Sequence, residues 1–204
     1  MASSTNAAPL AVPRIESLGS DDDAEAFRRI NTEWISRLFT LTDEDRALLN
    51  DPRGRIIDPG GDVLLARADD GSVVGCVALV RYPDDVLELS KMGVTPAAQG
   101  RGVGRLLVAG AIGRARELGA RRLFLGTNSA LTPAIHLYRE AGFVPIGREH
   151  LPVTDYYARA DVLMELPGSA GADPTVGTGI GSVAATPNTR DGGSATDGRR
   201  GRSR

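Results

Sequence analysis

The chain has 204 residues, 41% hydrophobic and 25% charged, proportions that suit one folded domain with tails. A formal net charge of −2 argues against a dedicated nucleic-acid binder, which would carry a basic surplus. The single cysteine, Cys76, rules out an intramolecular disulfide and a cysteine metal cluster. With only His136 and His150 as imidazoles, no metal site is expected.

The opening stretch MASSTNAAPLAVPR has no basic n-region followed by a long apolar run, so it does not read as a signal peptide. Nowhere does the chain approach the roughly 20 apolar residues that span a bilayer. A cytoplasmic location, with no membrane partner, is the expectation. Residues 1–12 read as a flexible N-terminus, 13–167 as the folded domain and 168–204 as a tail. The tail holds no aromatic and no leucine, too little apolar surface to offset the entropy of ordering it. Its arginines (Arg190, Arg199, Arg200, Arg202, Arg204) outnumber its aspartates, but a solvated tail explains them as simply as a binding arm.

Pro13 to Leu18 reads as a short strand. Asp21 to Asp23 supply capping chemistry for a helix on which Phe27, Ile30, Trp34, Ile35 and Leu38 recur at helical spacing. Thr42 to Asp45 looks like a second helix start, running to Leu49, though no Glu or Gln stands at the usual capping-box position. Strands over Val63–Ala68 and Ser72–Tyr82 flank Asp69-Asp70-Gly71, a hairpin signal. The next strand is Leu87–Val94. An apolar, basic helix follows Gly104 and stops at Leu118-Gly119. Arg122–Thr127 is a strand, Pro133–Ala141 a helix, Phe143–Gly147 a short strand and Asp161–Leu166 the last strand. The alternation predicts an α/β domain with a mixed central sheet flanked by helices.

Between the Leu87–Val94 strand and its helix lies Gln99-Gly100-Arg101-Gly102-Val103-Gly104. Strand, glycine loop and helix N-terminus in that order form an anion site: bare N–H groups converge on a phosphate and the helix dipole favours its charge. Arg101 and Arg105 add charge-assisted donors. The P-loop pattern requires a lysine that is absent after Gly104, and the dinucleotide fingerprint requires glycine where Leu107 stands. An ordinary tight connection would also accept three glycines. A second block removes that ambiguity: Asn128, then Ala134-Ile135-His136-Leu137-Tyr138, then Gly142-Phe143.

The two blocks, in this order and joined by one helix and one strand, resemble the GNAT-fold N-acetyltransferases over roughly Ile15 to Leu166. Finer features are similar to a bacterial subgroup found alone or fused to MarR-type regulators: Glu88-Leu89-Ser90-Lys91-Met92-Gly93-Val94, Asn31-x-x-Trp34 and Tyr157-x-Arg159. The resemblance implies acetyl-CoA as co-substrate, with the pyrophosphate on residues 99–105. It implies that the Met92 N–H meets the thioester carbonyl, that Val94 meets the pantetheine arm, and that Asn128 helps seat the cofactor. As a turn residue Asn128 would look the same.

Acetyl transfer to an amine needs a base, because an alkylamine with a pKa of about 10.4 is charged at neutral pH. Glu88 stands on the strand that feeds the loop, where glutamate-using members of the family carry theirs. Burial beside Leu87 and Leu89 would raise its pKa; a salt bridge to Lys91 is the competing role. Gly93 within a strand signals a bulge, which would free a backbone donor, or else close packing. Tyr138, whose phenol stays protonated at neutral pH, is the candidate acid toward the leaving thiolate, with core filling as the alternative. His136 falls on a different helix face and reads as structural. Asn31, Trp34, Tyr156, Tyr157 and Arg159 are candidate acceptor-pocket residues, and Arg159 suits a substrate carboxylate. The implied activity is acetyl transfer to a primary amine of a small molecule by direct attack, from a monomer or homodimer. A protein acetyltransferase and a non-catalytic acyl-CoA-binding module are the alternatives.

Overall fold

The computed structural model describes residues 12–154 and 156–168; the expectations for the N-terminal stretch and the tail lie almost wholly outside them. Seven strands form one mixed sheet: β1 (Arg14–Ser17), β2 (Asp62–Arg67), β3 (Val73–Tyr82), β4 (Val86–Val94), β5 (Arg122–Thr127), β6 (Val144–Pro145) and β7 (Val162–Glu165). Their order is β1-β2-β3-β4-β5-β7-β6, antiparallel throughout except for the β4–β5 pair. The helices are α1 (Asp21–Leu38), α2 (Asp43–Asn50), α3 (Val103–Glu117) and α4 (Thr132–Glu140). A π-helical turn at Arg53–Ile57, which periodicity does not announce, leads into β2.

Alternation along the strands builds two cores. Leu64, Val77, Leu79, Leu87, Leu89, Leu123 and Leu125 face α3 and α4, packing on Leu107, Ala111, Tyr138 and Phe143. The intervening Val63, Leu65, Cys76 and Ala78 face the other way, onto Phe27, Ile30 and Ile35 of α1 and Leu49 of α2. That second face continues over β4 and β5 as an aromatic layer of Val86, Phe124, Tyr156 and Leu163. None of the described helices is long and apolar enough to cross a membrane.

The helix starts differ from the sequence expectation in two details. The N-cap of α1 is Ser20, and Asp23 closes the capping box by accepting from the Ser20 and Gly19 N–H groups. At α2 a full capping box does form between Thr42 and Asp45, because the shorter aspartate reaches the Thr42 N–H as a glutamate would. Both helices also carry acidic first turns, which suit the positive end of the helix dipole. By contrast α3 starts at Gly102 with no side-chain cap and no acid in its first turn. α4 likewise begins without a side-chain cap.

Candidate active site

The parallel pairing of β4 with β5 runs only through Val86–Arg122, Leu87–Leu123 and Glu88–Phe124. Beyond it the strands part: β5 continues to Thr127 paired with β7, and β4 continues to Val94 paired with β3. The opening connects the two sides of the sheet and forms a cleft lined by Trp34, Glu88, Met92, Asn128, Tyr138, Tyr157 and Arg159, among others. Glu88 reaches it from the α1/α2 side and Tyr138 from the α3/α4 side.

Glu88 is fully buried and both its oxygens accept hydrogen bonds. The Tyr156 hydroxyl donates to Oε1 at 2.7 Å and the Tyr82 hydroxyl to Oε2 at 2.9 Å. Burial pushes the Glu88 carboxyl above the ordinary carboxylate range, and the two phenols offset part of that shift. The burial does not come from Leu87 and Leu89, whose side chains lie on the opposite face. It comes from an aromatic stack in which Phe124 sits 5.7 Å from the Tyr82 ring and 5.9 Å from the Tyr156 ring. Tyr156 reaches Glu88 because position 126 is glycine: a Cβ there would collide with the Tyr156 ring and hydroxyl. Tyr82 was identifiable from the sequence, since a tight turn at Pro83–Asp85 sets Val80 opposite Glu88 and leaves Tyr82 its diagonal neighbour.

Lys91 is not the partner of Glu88. It points to Asp45 of α2, with Nζ 2.8 Å from Oδ1, and the same oxygen accepts from Arg159 Nη2 at 2.7 Å. Burial alone would raise the Asp45 pKa, but Arg159 and Lys91 outweigh it and hold the carboxyl well below the usual range. Arg159 also donates to the Thr40 carbonyl and lies over the Phe39 and Tyr157 rings. Nothing local in the sequence links residues 45, 91 and 159, so this charged cluster has no signal in it.

The bulge expected at Gly93 falls just before it. Cys76 pairs with Gly93 and Ala78 with Ser90, so Lys91 and Met92 together oppose Val77, and Lys91 takes a left-handed φ of 49°. Gly93 serves packing: a Cβ would lie 2.8 Å from Ile30 and 2.9 Å from Trp34. Its absence lets α1 approach β4 and sets Trp34 as a wall of the cleft. Asn31 stays outside the cleft, fully buried. Its Nδ2 donates to the Phe27 carbonyl and to Cys76 Sγ, and its Oδ1 accepts from the Trp34 indole. Cys76 is buried on β3, its thiol pushed up to about 12 by burial, far from any nucleophilic form.

At the loop, Gly100 (φ 72°) and Gly102 (φ 84°) adopt the left-handed conformation that favours glycine. The Gln99 side chain ties the loop to the end of β4 by donating to the Val94 carbonyl at 3.0 Å. Val103 points into the core and offers the loop only its backbone, while Gly104 lets Leu137 of α4 close on α3. Arg101 is exposed, and Arg105 holds a two-pronged ion pair with Glu140. Asn128 makes a turn: its Oδ1 accepts from the Ala130 N–H, and its Nδ2 donates to the Arg159 carbonyl at 2.7 Å. An uncapped helix start behind two left-handed glycines suits a pyrophosphate, and the parted strands suit the slender arm behind it. Tyr138 is buried against Phe143, and burial raises its phenol pKa further, keeping it a proton donor.

Comparison with known proteins agrees with this geometry. The model of the acetyltransferase (GNAT) family matches residues 25–143, more than half of the chain. A mycothiol acetyltransferase from Cellulomonas flavigena is 34% identical over 139 residues, covering 61% of this chain and 38% of the relative. An amino-acid acetyltransferase from Aeromonas salmonicida is 39% identical over 136 residues, covering 65% of this chain and 30% of the relative. The chain thus spans about a third of the length of these two relatives. Among solved structures, a GNAT-family acetyltransferase from Staphylococcus aureus Mu50 shares the fold, with a TM-score of 0.67 at 20% identity, over 75% of this chain and 98% of that one. The strand–glycine loop–helix unit, the parted β4 and β5 and the family match agree: the chain belongs to the acetyltransferase (GNAT) family.

Proposed function

We propose that the protein moves the acetyl group of acetyl-CoA onto the primary amine of a small molecule, by direct attack within a ternary complex. The observation that carries this reading is the placement of Glu88 and Tyr138 on opposite sides of one cleft, where β4 and β5 part. The amine enters from the α1/α2 side and gives its proton to Glu88, directly or through a water. Its nitrogen attacks the thioester carbonyl, whose oxygen is held by the Met92 N–H beside the β4 bulge. The tetrahedral intermediate collapses, the C–S bond breaks, and Tyr138 protonates the departing thiolate from the far side. The nitrogen sheds its second proton to solvent, which reprotonates the Tyr138 phenolate and takes the proton from Glu88 to close the cycle. Residues 99–105 grip the pyrophosphate, Val94 borders the pantetheine arm, and Trp34, Tyr157 and Arg159 line the acceptor mouth.

The mouth is a narrow cleft walled by Trp34, Phe39 and Tyr157, which favours a small acceptor. No covalent enzyme intermediate enters this scheme, and Cys76 is too buried to provide one. The test is thiol release from acetyl-CoA across a panel of small amines, amino acids and peptides. Turnover with at least one small amine, exceeding that with any peptide, is the expected result. Turnover confined to peptides, or none with any amine, would contradict the proposal.

A further inference from the structure

Asp45 has no access to the cleft, and no residue of α2 lines it. Yet this fully buried carboxylate is where three separate parts of the site meet. Its Oδ2 accepts from the Thr42 N–H and so caps its own helix. Its Oδ1 accepts from Lys91 at the β4 bulge and from Arg159 in the 156–161 segment, and both of those residues line the cleft. A buried ion pair is weak evidence of a stability role, since apolar replacements of similar volume often serve equally well. What this one fixes is geometry. Lys91 is held in a left-handed conformation that an L side chain rarely adopts, immediately before Met92. The 156–161 segment joins no strand ladder until Val162, so side-chain anchors must hold it. Arg159 is such an anchor, three residues along from the Tyr156 whose phenol bonds Glu88.

We propose that Asp45 is a positioning residue: through Lys91 and Arg159 it locks the β4 bulge and the 156–161 segment to α2, and so holds the Tyr156 phenol on Glu88. The inference rests on Glu88 acting as the base. A shift of about 1 Å in a reacting group can lower a rate on the order of a hundredfold, so a lock of this kind acts on turnover more than on binding.

The test is a double-mutant cycle of Asp45→Asn with Tyr156→Phe, read as kcat at saturating acetyl-CoA and a turned-over amine. Asparagine keeps the size and an oxygen for the Thr42 N–H but cannot hold two cations. Asp45→Asn should lower kcat by about tenfold or more, with acetyl-CoA affinity within about threefold of wild type. In the Tyr156→Phe background the same change should cost much less, because the group it positions is already gone. A purely structural role would instead make the two losses multiply. Should Asp45→Asn fail to fold, Arg159→Gln takes its place in the cycle with the same expectation, since it leaves the Lys91–Asp45 pair intact. A kcat within twofold of wild type, or multiplying losses, would overturn the proposal. Wild-type turnover and Glu88→Gln are measured alongside. A Glu88→Gln enzyme as fast as wild type removes the base reading itself, whereas an impaired one with multiplying losses removes only the role of Asp45.

Discussion

The two sides of the cleft are built on opposite plans. On one side, α1 and α2 satisfy their own N-termini with capping boxes and acidic first turns, and Asp45 draws Lys91 and Arg159 together. On the other, α3 and α4 begin with no side-chain cap, and α3 follows two left-handed glycines. One side is closed by its own charges. The other leaves its helix starts without a side-chain cap, the arrangement that would suit the pyrophosphate of the proposed co-substrate. The difference teaches that the loop side of the cleft is shaped mostly by backbone, whereas the α1/α2 side is shaped by side chains set by distant contacts.

The comparison can be broken most sharply at the loop. Gly102→Val puts a β-branched residue at φ 84° and should weaken acetyl-CoA binding by about a hundredfold or more, while the melting temperature moves only a few degrees. Calorimetric titration checks it, and unchanged affinity would mean that the loop is not the grip. Next in size is Tyr138→Phe, which removes the proposed thiolate acid but leaves the packing on Phe143. It should slow turnover by roughly ten- to a hundredfold with cofactor affinity nearly unchanged, and a wild-type rate would reduce Tyr138 to packing. The smallest effect belongs to Gly126→Ala. The added Cβ displaces the Tyr156 ring, so kcat should fall by up to about tenfold while acetyl-CoA affinity holds. A parallel fall in affinity would show that the two sides are not separable.

The same division governs how much the sequence discloses. The glycine loop is legible because its parts lie within a few residues of one another: Gln99 bonds a carbonyl five residues back, and the loop glycines sit at alternate positions. The strand and helix order is legible too, because periodicity is a local property. The bulge is legible only approximately, since Gly93 announces it while Lys91 carries it. On the α1/α2 side the decisive contacts span 46 residues for Asp45–Lys91, 68 for Glu88–Tyr156 and 114 for Asp45–Arg159. No spacing rule reaches across such intervals. Asn31 illustrates the cost: its place on the first helix suggests the pocket, but helix rotation buries it beneath Trp34 and against Cys76.

The central claim is that Glu88, raised by burial and steadied by two phenols, removes the proton from the incoming amine. The sign of its pH dependence follows from the carboxyl lying above its ordinary value. As pH falls through that raised value the base is protonated and kcat/KM drops, so the acid limb should sit above the usual carboxylate range. The most direct measurement is kcat/KM against pH for wild type and Glu88→Gln with the same amine. The account predicts a lower rate in Glu88→Gln and loss of that acid limb, leaving only the rise due to the ionisation of the amine itself. A Glu88→Gln profile that parallels wild type at every pH would contradict it.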